Sequence, residues 1–200
     1  MKGLYAWGYK YLRPLVLKLF NIHITGSENE PPEGGCLVCA NHISNFDVIV
    51  LAASLKRQLR YLAKAELFRV PILRSIVKAL GAFPIRRGEG DVGAIKTTLK
   101  LLEQGEMVGF YPQGTRHIGV DPRGTPIKHG IAMVATRANV PVLPVCIQTK
   151  NFKIVPFRRI DVRIGKPIYP EEFGLSARSP DEYKRISEYI FKKITDMIED

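Results

Sequence analysis

Cys36-Leu37-Val38-Cys39-Ala40-Asn41-His42-Ile43-Ser44-Asn45-Phe46-Asp47 reads as a strand, a polar loop and the first residue of a helix. Residues 36–40 are small or apolar without a break, which is the pattern of a buried strand. Residues 47–55 follow with Val48, Ile49, Leu51 and Ala52 apolar, and they predict a helix. The loop between holds His42 and Asp47, five positions apart. A strand-end loop on a rigid scaffold is where catalytic side chains stand. Histidine titrates nearest neutrality and serves as a proton acceptor. An aspartate in reach of one ring nitrogen fixes its tautomer and stabilises the imidazolium that forms. The competing reading makes Asp47 a helix cap, a common role for aspartate.

Outward from this stretch, strands alternate with helices. Strands are predicted at 59–63, 82–85, 107–111, 142–147 and 160–164. Helices are predicted at 71–79, 91–104 and 127–138, with Asp91 as a cap and Gly105 as a stop. A last helix begins after Ser179, with Pro180 in its first turn and Glu182 completing a capping box. This order predicts an α/β fold, a mixed and mostly covered sheet flanked by helices. In such folds ligands gather at the edge where strands end. Pro141 and Pro144 flank Val142 and Leu143, so this strand is not expected to pair freely along its whole length.

Residues 1–20 differ in kind. Trp7, Tyr9, Tyr11, Leu12, Leu15 and Phe20 alternate with Lys2, Lys10, Arg13 and Lys18. That mixture predicts an N-terminal amphipathic, membrane-associating helical segment, kinked at Pro14. A helix packed on the protein's own core needs an apolar face as well. The expected division is a segment at 1–25 and a main domain at 26–200. No run of about 20 uncharged apolar residues is present, so an ordinary transmembrane helix is not expected.

Thirty Lys and Arg against 19 Asp and Glu give a net charge of +11. Residues 56–100 carry much of it, with eleven basic and three acidic side chains. Such a field attracts phosphates, anionic lipid, acidic proteins or nucleic acid. Three cysteines cannot build a disulfide framework. Cys36 and Cys39 would point to opposite faces of a strand, so they are not a metal or redox pair. No P-loop, dinucleotide fingerprint, nucleophile elbow or zinc-protease motif occurs.

Two further strand-end loops are basic. Gly81-Ala82-Phe83-Pro84-Ile85-Arg86-Arg87 ends in paired guanidiniums, which suit a phosphate. Tyr111-Pro112-Gln113-Gly114-Thr115-Arg116 combines a glycine turn, a hydroxyl and a donor fork. Lys64 ends its own strand, and Lys128 lies downstream and could add charge.

The blocks at 41–47, 81–87, 111–116 and 140–145 occur in the order and spacing of the glycerolipid acyltransferase family. Over residues 20–170 the chain resembles in particular its bacterial 1-acylglycerol-3-phosphate acyltransferases. The resemblance implies acyl transfer from acyl-carrier protein or coenzyme A to the sn-2 hydroxyl of lysophosphatidic acid. His42 would be the general base and Asp47 its orienting acid, with no acyl-enzyme required. Lys64, Arg86, Arg87, Gln113, Gly114, Thr115 and Arg116 would hold the acceptor. It implies no metal and no cofactor beyond the thioester co-substrate. It also implies an anionic membrane surface as a partner, with no specific nucleic acid. The expected location is the cytoplasmic face of the cell membrane, peripheral or monotopic. Gln113 stands where the family has glutamate, and Tyr111 where it has phenylalanine. The loss of charge at 113 leaves open another lysolipid acceptor. The non-catalytic alternative is a basic membrane-surface or nucleic-acid binding module.

Overall fold

The computed structural model describes residues 3–64, 68, 69, 74, 81–85, 92–174 and 178–200. In chain order its main elements are α1 (Gly3–Leu19), β1 (Ile22–Thr25), β2 (Cys36–Ala40), α2 (Asp47–Ser54), β3 (Leu59–Lys64) and β4 (Ala82–Ile85). They continue with α3 (Val92–Glu103), β5 (Met107–Phe110), α4 (Gly130–Ala138), β6 (Val142–Thr149), β7 (Ile160–Ile164) and α5 (Pro180–Thr195). Among the described residues the strands form one sheet in the order β1-β7-β6-β2-β5-β3-β4.

β2 is the middle strand because every one of its residues can be buried. Cys36, Val38 and Ala40 pack into the core on one face of the sheet, with Val50, Leu51 and Leu55 of the α2 segment. Leu37 and Cys39 face the opposite core, with Leu102, Val134 and Ile190 of α3, α4 and α5. The three cysteines are free and buried. β2 pairs in parallel with β5 on one side and β6 on the other. β3 and β4 extend the parallel set. β7 runs antiparallel to β6 and parallel to β1, so the sheet is mixed.

β6 is paired on both sides despite Pro144. Its first half pairs with β2 and its second half with β7. The Val142 N–H bonds Ile168 O on the β7 side, so two residues on the missing Pro144 donor faces that side too. There β7 has ended, and the Gly165 N–H instead reaches Pro144 O at 2.9 Å. The proline therefore sits where no donor is needed.

Two expectations shift. The N-terminal helix stops at Leu19, and Ile22–Thr25 is a strand of the main sheet rather than part of a helical segment to residue 25. Asn21, at φ 43, turns the chain between them. The helix expected from 127 starts at Gly130, because the Lys128 N–H bonds Pro112 O at 2.8 Å and holds residues 127–129 against the β5 loop. α1 is one helix with Pro14 inside it. The last helix keeps its cap: Ser179 Oγ accepts the Glu182 N–H at 3.2 Å, while the Glu182 carboxylate pairs with Arg185. The helix expected at 71–79 and the cap Asp91 lie outside the described residues.

β2, β5, β6, β3 and β4 end at one edge, which gathers the loops at 41–46 and 111–129. Asn41 fixes the first loop there. Its Nδ2 donates to Ile147 O at 2.8 Å and its Oδ1 accepts the Ile147 N–H at 2.7 Å, continuing the β2–β6 ladder by a side chain. Asn41→Ala would leave both buried backbone groups of Ile147 unpaired, at a cost of about 2–4 kcal/mol. The expected thermal midpoint is lower by roughly 5–10 °C in a melting experiment. A fall of under 2 °C would contradict this anchoring.

Candidate active site

At the end of β2 the backbone turns and the Asp47 carboxylate reaches back into the turn. Its Oδ2 accepts from the His42 imidazole at 2.7 Å, the Ile43 N–H at 2.7 Å and the Ser44 N–H at 2.8 Å. Asp47 is the first residue of α2, and its contacts point backward to the loop rather than forward to the helix. That geometry decides against the simple cap. The position still suits an anion, since it lies at the helix N-terminus.

Asp47 is fully buried, while the His42 side chain is 16% exposed. An ionised carboxylate only accepts, so Nδ1–H donates and Nε2 carries the free lone pair. The rest of His42 is held as firmly. Its N–H donates to Gln113 Oε1 at 2.6 Å, and its C=O accepts the His117 N–H at 2.9 Å. Its ring stacks on Tyr111, with centroids 4.1 Å apart and planes at 16°. The Tyr111 hydroxyl and Asp47 Oδ1 are buried without a hydrogen-bond partner among the described residues. Burial, with the Asp47 charge adding to it, pushes the Tyr111 hydroxyl well above its ordinary range, so it stays protonated.

Gln113 is 3% exposed and turned inward. Its Nε2 donates to Thr125 Oγ1 at 2.7 Å, whose hydroxyl in turn donates to Pro122 O at 2.8 Å. The amide thus couples the His42 backbone to the 121–128 loop. Gly114, at φ +68, lies under the Lys128 stem, where a Cβ would stand 2.8 Å from Lys128 Cδ. Any side chain there would displace the lysine and strain the turn. Thr115 and Arg116 are exposed, and an Arg116 guanidinium N–H donates to Asn45 Oδ1, joining the two loops. The structure therefore gathers His42, Asp47, Gln113, Gly114, Thr115 and Arg116. β3 ends at Lys64, opposite Ile85 of β4, on the same edge. Arg86 and Arg87 follow Ile85 in sequence and lie outside the described residues.

Beside His42 a cavity of about 470 Å³ opens between β3, β5, α3 and α4. Leu62, Ile95, Phe110 and Val134 make its walls apolar, and His42, Thr98 and Lys128 supply polar groups. A base at the mouth of a largely apolar pocket can deprotonate a hydroxyl while an aliphatic chain lies alongside. Asn41, His117 and Thr125 carry no motif signal of their own. Their roles come from partners 75 to 106 positions or one loop away, which no local spacing displays.

Residues 21–148 match the acyltransferase family model. This chain belongs to the acyltransferase family. It is similar to the 1-acyl-sn-glycerol-3-phosphate acyltransferase of Bacillus subtilis, with 32% identity over 76% of each chain. The protein of that name from Borreliella burgdorferi is 29% identical over 90% of this chain and 69% of its own. The crystal structure of the 1-acyl-sn-glycerophosphate acyltransferase from Thermotoga maritima aligns with TM-score 0.69, covering 98% of this chain and 83% of that one. At 24% identity this last likeness speaks for the fold.

In this acyltransferase, burial is the largest influence on the Asp47 carboxyl and raises it above its ordinary 3.8. The His42, Ser44 and Ile43 hydrogen bonds pull it back in part. The folded state thus keeps this proton to higher pH than the unfolded chain. Stability contributed by the protonated form is present below 3.8 and is lost as pH rises through the raised value. Asp47→Asn removes that pH-dependent cost and the tautomer control together. Its thermal midpoint should gain on wild type between acid and neutral pH, while turnover falls about 10⁴-fold. A variant that instead loses stability relative to wild type as pH rises would contradict the burial effect.

Proposed function

We propose that this acyltransferase moves an acyl group from a thioester to the sn-2 hydroxyl of 1-acylglycerol 3-phosphate, giving phosphatidic acid. The observation that carries the reading is the 2.7 Å contact between His42 Nδ1 and a fully buried Asp47. His42 Nε2 takes the hydroxyl proton as the oxygen attacks the thioester carbonyl. The C–O bond forms, the C–S bond breaks, and the proton ends on the departing thiol. Asp47 holds the ring and offsets the imidazolium charge. The relatives named 1-acyl-sn-glycerol-3-phosphate acyltransferase support this acceptor.

Lys128 lines the cavity with His42, and we assign it to the acceptor's phosphate together with Thr115 and Arg116 of the adjoining loop and with Lys64, Arg86 and Arg87. The apolar cavity takes an acyl chain. Gln113 acts by positioning: both ends of its amide are bonded within the protein, so its difference from glutamate gives little reason to prefer another acceptor. The donor is acyl-carrier protein or acyl-coenzyme A, and the chemistry asks for no other cofactor. Among the described residues no helix is long and apolar enough to cross a membrane. α1 bears the exposed Trp7, Tyr11, Leu12 and Leu15, and it lies on the anionic cytoplasmic face of the cell membrane.

Purified protein is to be assayed with lysophosphatidic acid, other lysolipids and both donors. His42→Ala should lose at least about 10²-fold in turnover. Arg116→Ala should raise KM for lysophosphatidic acid roughly tenfold. A better substrate than lysophosphatidic acid, or unchanged turnover in His42→Ala, would overturn the assignment.

A further inference from the structure

The β6–β7 loop, residues 150–159, takes no part in the dyad or the phosphate cradle. Phe157 at its tip is 76% exposed, the most exposed large apolar side chain among the described residues. Its backbone sits at φ 65, a conformation that strains a non-glycine residue. Asn151 and Phe152 in the same loop also have positive φ. The fold thus holds a strained turn that presents an aromatic ring to the outside.

Topology puts this loop beside the active-site mouth. β6 is parallel to β2 and β5, so residue 150 starts from the edge that carries His42. β7 is antiparallel to β6 and parallel to β1, so α1, which leads into β1, also ends at that edge. Two hydrogen bonds tie the three pieces together. The Phe157 N–H donates to Leu19 O of α1 at 2.8 Å, and the Gly119 N–H of the Arg116 loop donates to Phe152 O at 3.0 Å. Ile118 and Val120, on either side of Gly119 in that loop, are exposed as well. Lys150, Lys153 and Arg158 are exposed within ten residues of chain, and none has a carboxylate partner among the described residues.

We infer that the 150–159 loop is a second contact with an anionic lipid bilayer, in addition to α1. Phe157 enters the acyl boundary, and Lys150, Lys153 and Arg158 meet the headgroup phosphates. An exposed aromatic beside exposed cations matches that surface. Both contacts lie at the sheet edge that carries His42, so a lipid acceptor would reach it from the bilayer side. This inference rests on the membrane reading of α1 given above and adds a second point to it.

The test is binding of the full-length protein to phosphatidylglycerol–phosphatidylcholine vesicles by sedimentation. Phe157→Gly relieves the strained φ while removing the ring, so the fold is kept. This variant, and separately Lys150→Gln/Lys153→Gln/Arg158→Gln, should each weaken vesicle binding roughly tenfold or more. Thermal midpoints should not fall below wild type, and turnover on a water-soluble, short-chain lysophosphatidic acid should stay at wild-type level. A Trp7→Ser/Leu15→Ser variant serves as the α1 reference. If it loses binding while both loop variants bind like wild type, the loop inference is overturned and the α1 reading stands. If wild type itself does not bind, both fall. Loop variants that lose soluble-substrate turnover as well would show a structural role and overturn the inference.

Discussion

The Asp47 carboxylate, buried at the first turn of α2, is the constraint on which the site depends. One oxygen gathers the His42 imidazole and the N–H groups of Ile43 and Ser44. Those three bonds fold the loop as well as orient the imidazole, so loop shape and ring tautomer come from the same atom. The cost is a charge in a dry place, visible in the raised carboxyl pKa. The neighbouring backbone repays part of that cost, and the β2–β6 anchor at Asn41 keeps the loop from relaxing away.

The sheet supplies the other half of the design. Five parallel strands end at one edge, and the central pair carries His42 on one loop and Arg116 on the next. Gln113 and the His117 N–H lock these loops to each other through the two backbone groups of His42. A displacement of the Arg116 loop would therefore move His42 with it. The β1–β7 pair runs the other way, which brings α1 and the 150–159 loop to the same edge. Strand direction thus puts the end of α1, the 150–159 loop and the His42 loop at one edge of the sheet.

Much of this was legible in the chain. Residues 36–40 could only be a strand buried on both faces, and the strong alternation of elements forced an α/β layer fold. β1 escaped notice because Ile22-His23-Ile24-Thr25 has just two apolar positions and follows directly on a helix. The limited pairing expected around Pro144 is what β6 shows, with β2 along its first half and β7 along its second; which side the missing donor faces is a tertiary fact that the sequence does not display. In the site, the approach of Asp47 to His42 and the place of Gly114–Arg116 on the neighbouring strand-end loop were readable from motif spacing. Gln113 was read as a substrate contact, because its sequence position beside Gly114 says nothing of the bonds to His42 and Thr125 that turn it inward.

The most direct measurement of the central claim is the tautomer of His42. Long-range proton–nitrogen correlation spectra of uniformly ¹⁵N-labelled protein at neutral pH distinguish the two ring nitrogens, with His42→Gln assigning the signal among the four histidines. The account predicts a protonated Nδ1 and a free Nε2, with this preference lost in Asp47→Asn. A His42 ring protonated at Nε2, or a preference that survives removal of the carboxylate, would contradict it.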